Sequence, residues 1–215
     1  MLEEGWYWAA WVVWVPVFVR CIRKAPWASL KDFGRLHLWL GLIVILSLLW
    51  SMKAGVKPGL SLHLLGAMVM TLSCGVHLAF LGLCGVLAAI TLNGDAEWFA
   101  FALNALLTAG VGVGASHLIF RLVDRVLPKH FFVYIFANGF FGSALAVMVV
   151  GLAASLFLAI AGAYGLEYLI SEYLPYFLLL GFSEAWLSGM VMTLLVVYFP
   201  HWVATFDDTR YLANK

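Results

Sequence analysis

The chain is predicted to be an all-α, polytopic integral membrane protein, on three observations. Its 215 residues are 65% hydrophobic and 11% charged, with a mean hydropathy of +1.01, whereas soluble domains carry roughly 25% charged residues. Apolar runs approaching the ~20 residues needed to cross hydrocarbon recur along the whole chain. Lysine and arginine are gathered into alternate polar segments, the pattern that sets orientation in a membrane. Residues 1–215 read as a single transmembrane domain with no soluble domain attached. A net charge of +1 argues against a nucleic-acid partner, which needs a concentrated basic face. Cys21, Cys74 and Cys84 have no CxxC spacing and suggest neither a disulfide framework nor a zinc knuckle.

The first span is expected from about Trp6 to Val19. Glu3 and Glu4 precede it and basic residues follow it, the reverse of a cleavable signal peptide. Trp6, Tyr7, Trp8, Trp11 and Trp14 suit headgroup level or helix packing. The loop Arg20 to Arg35 is basic and therefore cytoplasmic, which places the N-terminus outside. A second span, about Leu36 to Met52, returns to an outer loop at Lys53 to Gly59.

Leu60 to Leu92 is a run of 33 residues without Lys, Arg, Asp or Glu. It is too long for one span and short for two, so it reads as a central hairpin of two abbreviated helices turning at Ser73-Cys74-Gly75, where glycine permits the turn. Lipid does not tolerate unsatisfied backbone, so the hairpin should be covered by protein. Asn93 to Glu97 is an acidic outer connection, and a fifth span runs from about Trp98 to Phe120. Arg121 to His130 is basic and inside. A sixth span, Phe131 to Tyr164, contains Gly139, Gly142, Ser143 and Ala146, small residues that let helices approach. Gly165 to Pro175 is an outer loop, a last span covers about Tyr176 to Phe199, and a tail follows. The result is about seven spans, N-out and C-in, with only Lys53 and Lys57 of the 12 Lys and Arg outside.

Polar residues inside this hydrocarbon are the functional candidates. His63 stands in SLHLLGAMVMT, near the outer end, on the side of Glu3, Glu4, Asn93, Asp95 and Glu97. Imidazole with carboxylate or amide oxygen is a workable set for a borderline metal; the alternative is a histidine bonded to a backbone carbonyl. Glu184, in the last span, must be paired, protonated or metal-bound, with Asn138, Asn104 or a histidine as partner. His77 and His117 would be the pair for a bis-histidine haem, although nothing local demands haem. His37, His130 and His201 sit at inner helix ends, where capping or solvation is expected. Met68, Met70, Met190 and Met192 hint at a soft copper path but equally fill core gaps. No GxxxxGK[ST], HExxH or GxSxG pattern occurs. The chain has no nucleotide site of its own and is not read as an enzyme.

The stretches LHLLGAMVMTLSCGVHLAFLGLCGVLAAI, Asn93-Gly94, Asn104, FVYIFANGFFGSALA from Phe132 and SEAWLSGMVMTLLVVYFPHWVATFDDTRYL from Ser183 resemble the CbiM-like cobalt/nickel permeases of energy-coupling-factor ABC transporters, in a short proteobacterial branch. The resemblance covers most of the chain. It implies a multi-pass subunit of the bacterial inner membrane that binds Co²⁺ or Ni²⁺ for uptake; zinc and copper stay open beside them on the residues alone. It also implies a coupling transmembrane protein and ATPase subunits as partners. The family's ligands are the N-terminal amine, a histidine at position two, and a histidine in a Ser-x-His context. Ser61-Leu62-His63 matches the last of these, while position two is Leu2. The metal set expected from residues and resemblance together is His63, Glu4, Asn93, Asp95 and Glu184. The alternative function is a non-transporting small subunit or assembly factor of a larger membrane complex, with haem or metal bound.

Overall fold

The computed structural model describes residues 2–52, 54–57 and 60–211. Lys53, Pro58 and Gly59 of the expected outer loop fall outside them. Helix α1 (Glu4–Lys24) opens on Glu4 and closes on Arg23 and Lys24, charges that complement the helix dipole. Its aromatic residues do pack: the Trp14 ring lies 4.5 Å from Phe18 and 5.4 Å from Phe101. Trp8 stays 62% exposed. Helix α2 (Phe33–Ser51) starts where Asp32 accepts the Gly34 amide at 2.8 Å, a side-chain cap of the usual kind.

Where only a loop was expected, β1 (Ala54–Lys57) pairs antiparallel with β2 (Leu60–Leu62). The central hairpin follows, but its arms are unequal. Helix α3 (Ala67–Cys74) has 8 residues and α4 (Val76–Leu92) has 17, so both arms are shorter than the ~20 residues of a full span, α3 by far the more. The cause is local: β2 and residues 63–66 are not helical, and Gly66 takes φ +66 before α3 begins. The turn lies at Gly75, with φ +78, as the glycine suggested.

Helix α5 (Phe101–Ala105) runs through a π-helical turn, Leu106–Gly110, into α6 (Val111–Val126). Helix α7 (Phe131–Val133) likewise continues through a π-helical segment, Tyr134–Gly142, into α8 (Ser143–Ile160). The small residues there admit a neighbour, since a Cβ at Gly139 would lie 3.5 Å from the Gly189 backbone. The expected outer loop after α8 contains α9 (Leu166–Glu172), which leads into α10 (Leu174–Tyr198). A tail ending in α11 (Asp208–Tyr211) folds back on the bundle. Among the described residues, Glu4–Lys24, Phe33–Ser51, Phe101–Val126, Phe131–Ile160 and Leu166–Tyr198 are each long and apolar enough to cross a membrane, with Val76–Leu92 a shorter apolar helix.

The two ends of the bundle differ in charge. At one end Arg35 donates to the His201 carbonyl at 2.7 Å and Asp124 pairs with Lys129 and Arg210, each at 2.8 Å. Residues 26–35, the turn at 73–78 and tail residues 202–204 share a cavity of about 220 Å³ there. The other end gathers Glu4, the β-hairpin, the Asn93–Glu97 connection and the α8–α9 turn. Ring contacts Tyr7–Phe99 at 4.6 Å and Trp6–Phe157 at 5.3 Å join its parts.

Candidate functional site

Helix α3 begins inside the bundle. An α-helix leaves its first amides without intrahelical partners, and every residue of α3 is buried from water. The bonds come from Glu184, near the middle of the 25-residue α10. Its Oε1 accepts the Gly66 amide at 2.7 Å and its Oε2 the Leu65 amide at 2.8 Å. Ser188, one turn along α10, donates to Oε1 at 3.2 Å. A carboxylate at a helix N-terminus is favoured by the dipole, and three donors offset the cost of burying it. The partner expected for Glu184 was Asn138, Asn104 or a histidine. Backbone amides take that role because Gly66, at positive φ, turns two consecutive N–H groups toward α10.

The other end of α3 is held by the chain that follows α10. Leu72 O accepts the Thr205 amide at 3.2 Å and its hydroxyl at 2.9 Å, and Ser73 O accepts the Ala204 amide at 3.0 Å. The Thr205 hydroxyl gives its one proton to Leu72, so Tyr134, 2.7 Å away, is the donor in their contact. One helix and its tail thus hold both termini of α3.

His63 lies on the extended lead into α3, half-buried. Its ring centroid is 4.2 Å from that of Trp50, and Nδ1 is 3.2 Å from Leu64 O. When Nδ1 carries the proton, that contact is a hydrogen bond and the ligating lone pair belongs to Nε2. Trp50 is fully buried, and its Nε1 has no hydrogen-bond partner among the described residues. Asn93 ends α4 and donates to Asp95 Oδ2 at 2.8 Å. Glu4 is exposed on the first turn of α1. The structure therefore brings together Asn93 with Asp95, and joins Glu184 to the segment carrying His63. Among the described residues, no three of His, Cys, Asp and Glu stand together as a group able to hold a metal. The N-terminal amine lies on Met1, outside those residues.

Of the other candidates, His130 caps α7 by accepting the Phe132 amide at 3.2 Å, and the cysteines are free and buried. His77 and His117 lie near one another in the basic half of the bundle. Sequence reasoning missed the Leu65 and Gly66 amides, Trp50 and the tail strap. The available signals were a glycine directly before an apolar run and a lone glutamate inside a span.

The profile described as "CbiM: Cobalt uptake substrate-specific transmembrane region" matches residues 1–202. No protein of curated function matches the sequence. The fold is similar to that of a crystal structure described as a truncated transition metal transporter, with a TM-score of 0.78 and 18% identity over 92% of this chain and 96% of that one. It is equally similar, at 0.78 and 18%, to a second one described as a transition metal transporter, over 90% of this chain and 89% of the other. With its intramembrane half-helix and multi-pass helical bundle, the chain belongs to the CbiM family of membrane transport proteins, whose members are not enzymes.

Proposed function

We propose that this chain is the substrate-binding membrane subunit for uptake of a divalent transition metal ion, cobalt or nickel first, in an energy-coupling-factor assembly. The observation that carries the reading is the pinned break in the membrane: Glu184 fixes Leu65 and Gly66, two and three residues after His63. A ligand on a freely moving loop loses binding energy to ordering, whereas this one is pre-positioned. On binding, His63 supplies an imidazole nitrogen, and Asn93, Asp95 and Glu4 of the same end close on the ion with their oxygens, since the described residues hold no ready-made group of three His, Cys, Asp and Glu. Glu184 already accepts three hydrogen bonds, so its contribution is to hold the lead segment, with metal contact requiring those bonds to open. Positive residues concentrate at the opposite end, which supports a cytoplasmic placement for it and an outer N-terminus in the bacterial inner membrane. A coupling membrane protein and ATPase subunits supply the energy, since the sequence has no nucleotide loop.

The test is elemental mass spectrometry on gently purified protein and on His63→Ala, before and after incubation with cobalt, nickel, zinc and copper salts. Stoichiometric metal in the parent and its loss in the variant support the reading and name the ion. No metal in either moves the assignment to a non-transporting subunit of a larger complex.

A further inference from the structure

Five basic or titratable side chains lie on one flank of the basic end, carried by α4 and by α1 and α6, which both pack against it. Arg20 and Lys24, one turn apart at the end of α1, act electrostatically on His77, the second residue of α4. His117 of α6 is in the same reach of Arg121, one turn further on, and of His77. Helix register agrees with this. Gly110 faces the ring of Phe80, and α4 and α6 run in opposite directions, so His77 meets the stretch of α6 that carries Gly114 and His117.

Of the acids of this end, Asp32 caps α2, Asp124 holds Lys129 and Arg210, Asp207 accepts Thr209, and Asp208 opens α11 in the tail. Among the described residues no acid forms an ion pair with Arg20, Lys24 or Arg121. There is room beside His77 and His117, since a Cβ added at the nearby Gly75 or Gly114 would meet no atom within 4 Å. Gly75 also begins α4 without a side-chain cap, so first-turn amides add donors to the same place. The rim is apolar and faces outward, with Leu118 70% and Leu122 63% exposed.

We propose that this groove between α1, α4 and α6 binds the phosphate of an anionic phospholipid. Cations held close together repel unless an anion lies between them. A lipid brings that anion together with acyl chains that cover Leu118 and Leu122, whereas soluble phosphate would leave the apolar rim bare. Basic pockets between transmembrane helices at the headgroup level suit such lipids. The proposal does not depend on which metal the protein binds.

The experiment is native mass spectrometry of the purified chain after incubation with equal amounts of phosphatidylglycerol and phosphatidylcholine of matched acyl chains. The parent is expected to retain phosphatidylglycerol preferentially. Lys24→Gln/Arg121→Gln should reduce that preference at least severalfold, while Arg23→Gln/Lys31→Gln, which removes the same charge outside the groove, should keep it. Lys24→Arg/Arg121→Lys should also keep it, which separates charge from folding. No preference in the parent, or equal loss in both glutamine variants, overturns the proposal. Displacement of the lipid by millimolar inorganic phosphate also overturns it, in favour of a soluble anion site.

Discussion

The carboxylate of Glu184 in α10 lies 2.7 Å from the backbone nitrogen of Gly66, where the chain turns from an extended segment into α3. The contact ties a long membrane helix to a short one at the depth where backbone groups have no water to turn to. It makes the geometry around His63 dependent on a residue more than a hundred positions away.

Replacing Glu184 should therefore destabilise the fold and loosen the lead segment together. Glu184→Gln offers one acceptor oxygen to two amides and leaves one unpaired, a cost of about 1–3 kcal/mol. Glu184→Ala strands both and should cost more. Thermal unfolding in detergent checks this; an unchanged midpoint in the alanine variant would show that the amides find other partners.

Gly66 and Gly41 separate backbone strain from space. Gly66→Ala places a Cβ against the Leu46 side chain at φ +66, and the left-handed conformation alone costs a non-glycine residue roughly 1–2 kcal/mol. Gly41 lies within α2 with nothing near its Cβ position, so Gly41→Ala should be neutral or stabilising by up to about 1 kcal/mol. Equal melting temperatures for the two variants would contradict the assigned turn.

The strap over α3 predicts coupling between Tyr134 and Thr205. Thr205→Val leaves the buried Tyr134 hydroxyl unpaired and should lower stability by about 1–3 kcal/mol. Tyr134→Phe should cost less, because Thr205 keeps its bond to Leu72. The double variant should be less damaging than the two single effects added; strict additivity in denaturation experiments would rule out the shared bond.

Docking of the tail should fail in alkali. Burial, and then the Asp124 carboxylate that accepts its hydroxyl at 3.1 Å, push the Tyr211 phenol up to about 12 from 10.0. A group raised in the folded state contributes stability that is fully present below its unfolded value and is lost as pH rises through the folded one. The tail should therefore loosen between pH 10 and about 12, and Tyr211→Phe should remove that step. Limited proteolysis of the tail against pH reads it directly.

Much of this architecture was legible because hydrocarbon imposes simple rules. Span length follows bilayer thickness, and basic residues mark one end. A charge-free run from Leu60 to Leu92 with a glycine at position 75 announces a buried turn. His63 and Glu184 could be singled out because polar groups are rare and costly at such depth.

The sequence by itself determined the helical membrane class, the placement of the long spans, the division of charge between the ends and the family. It did so because each rests on composition or on signals local in the chain. Tertiary structure decided that α3 starts opposite the middle of α10, that Glu184 meets Leu65 and Gly66 rather than an asparagine, and that Ala204 and Thr205 close the other end of α3. Those outcomes depend on backbone hydrogen bonds, and a backbone amide carries no residue identity to read. Only when the helices pack does it become known which amides have been left without partners and which side chain reaches them.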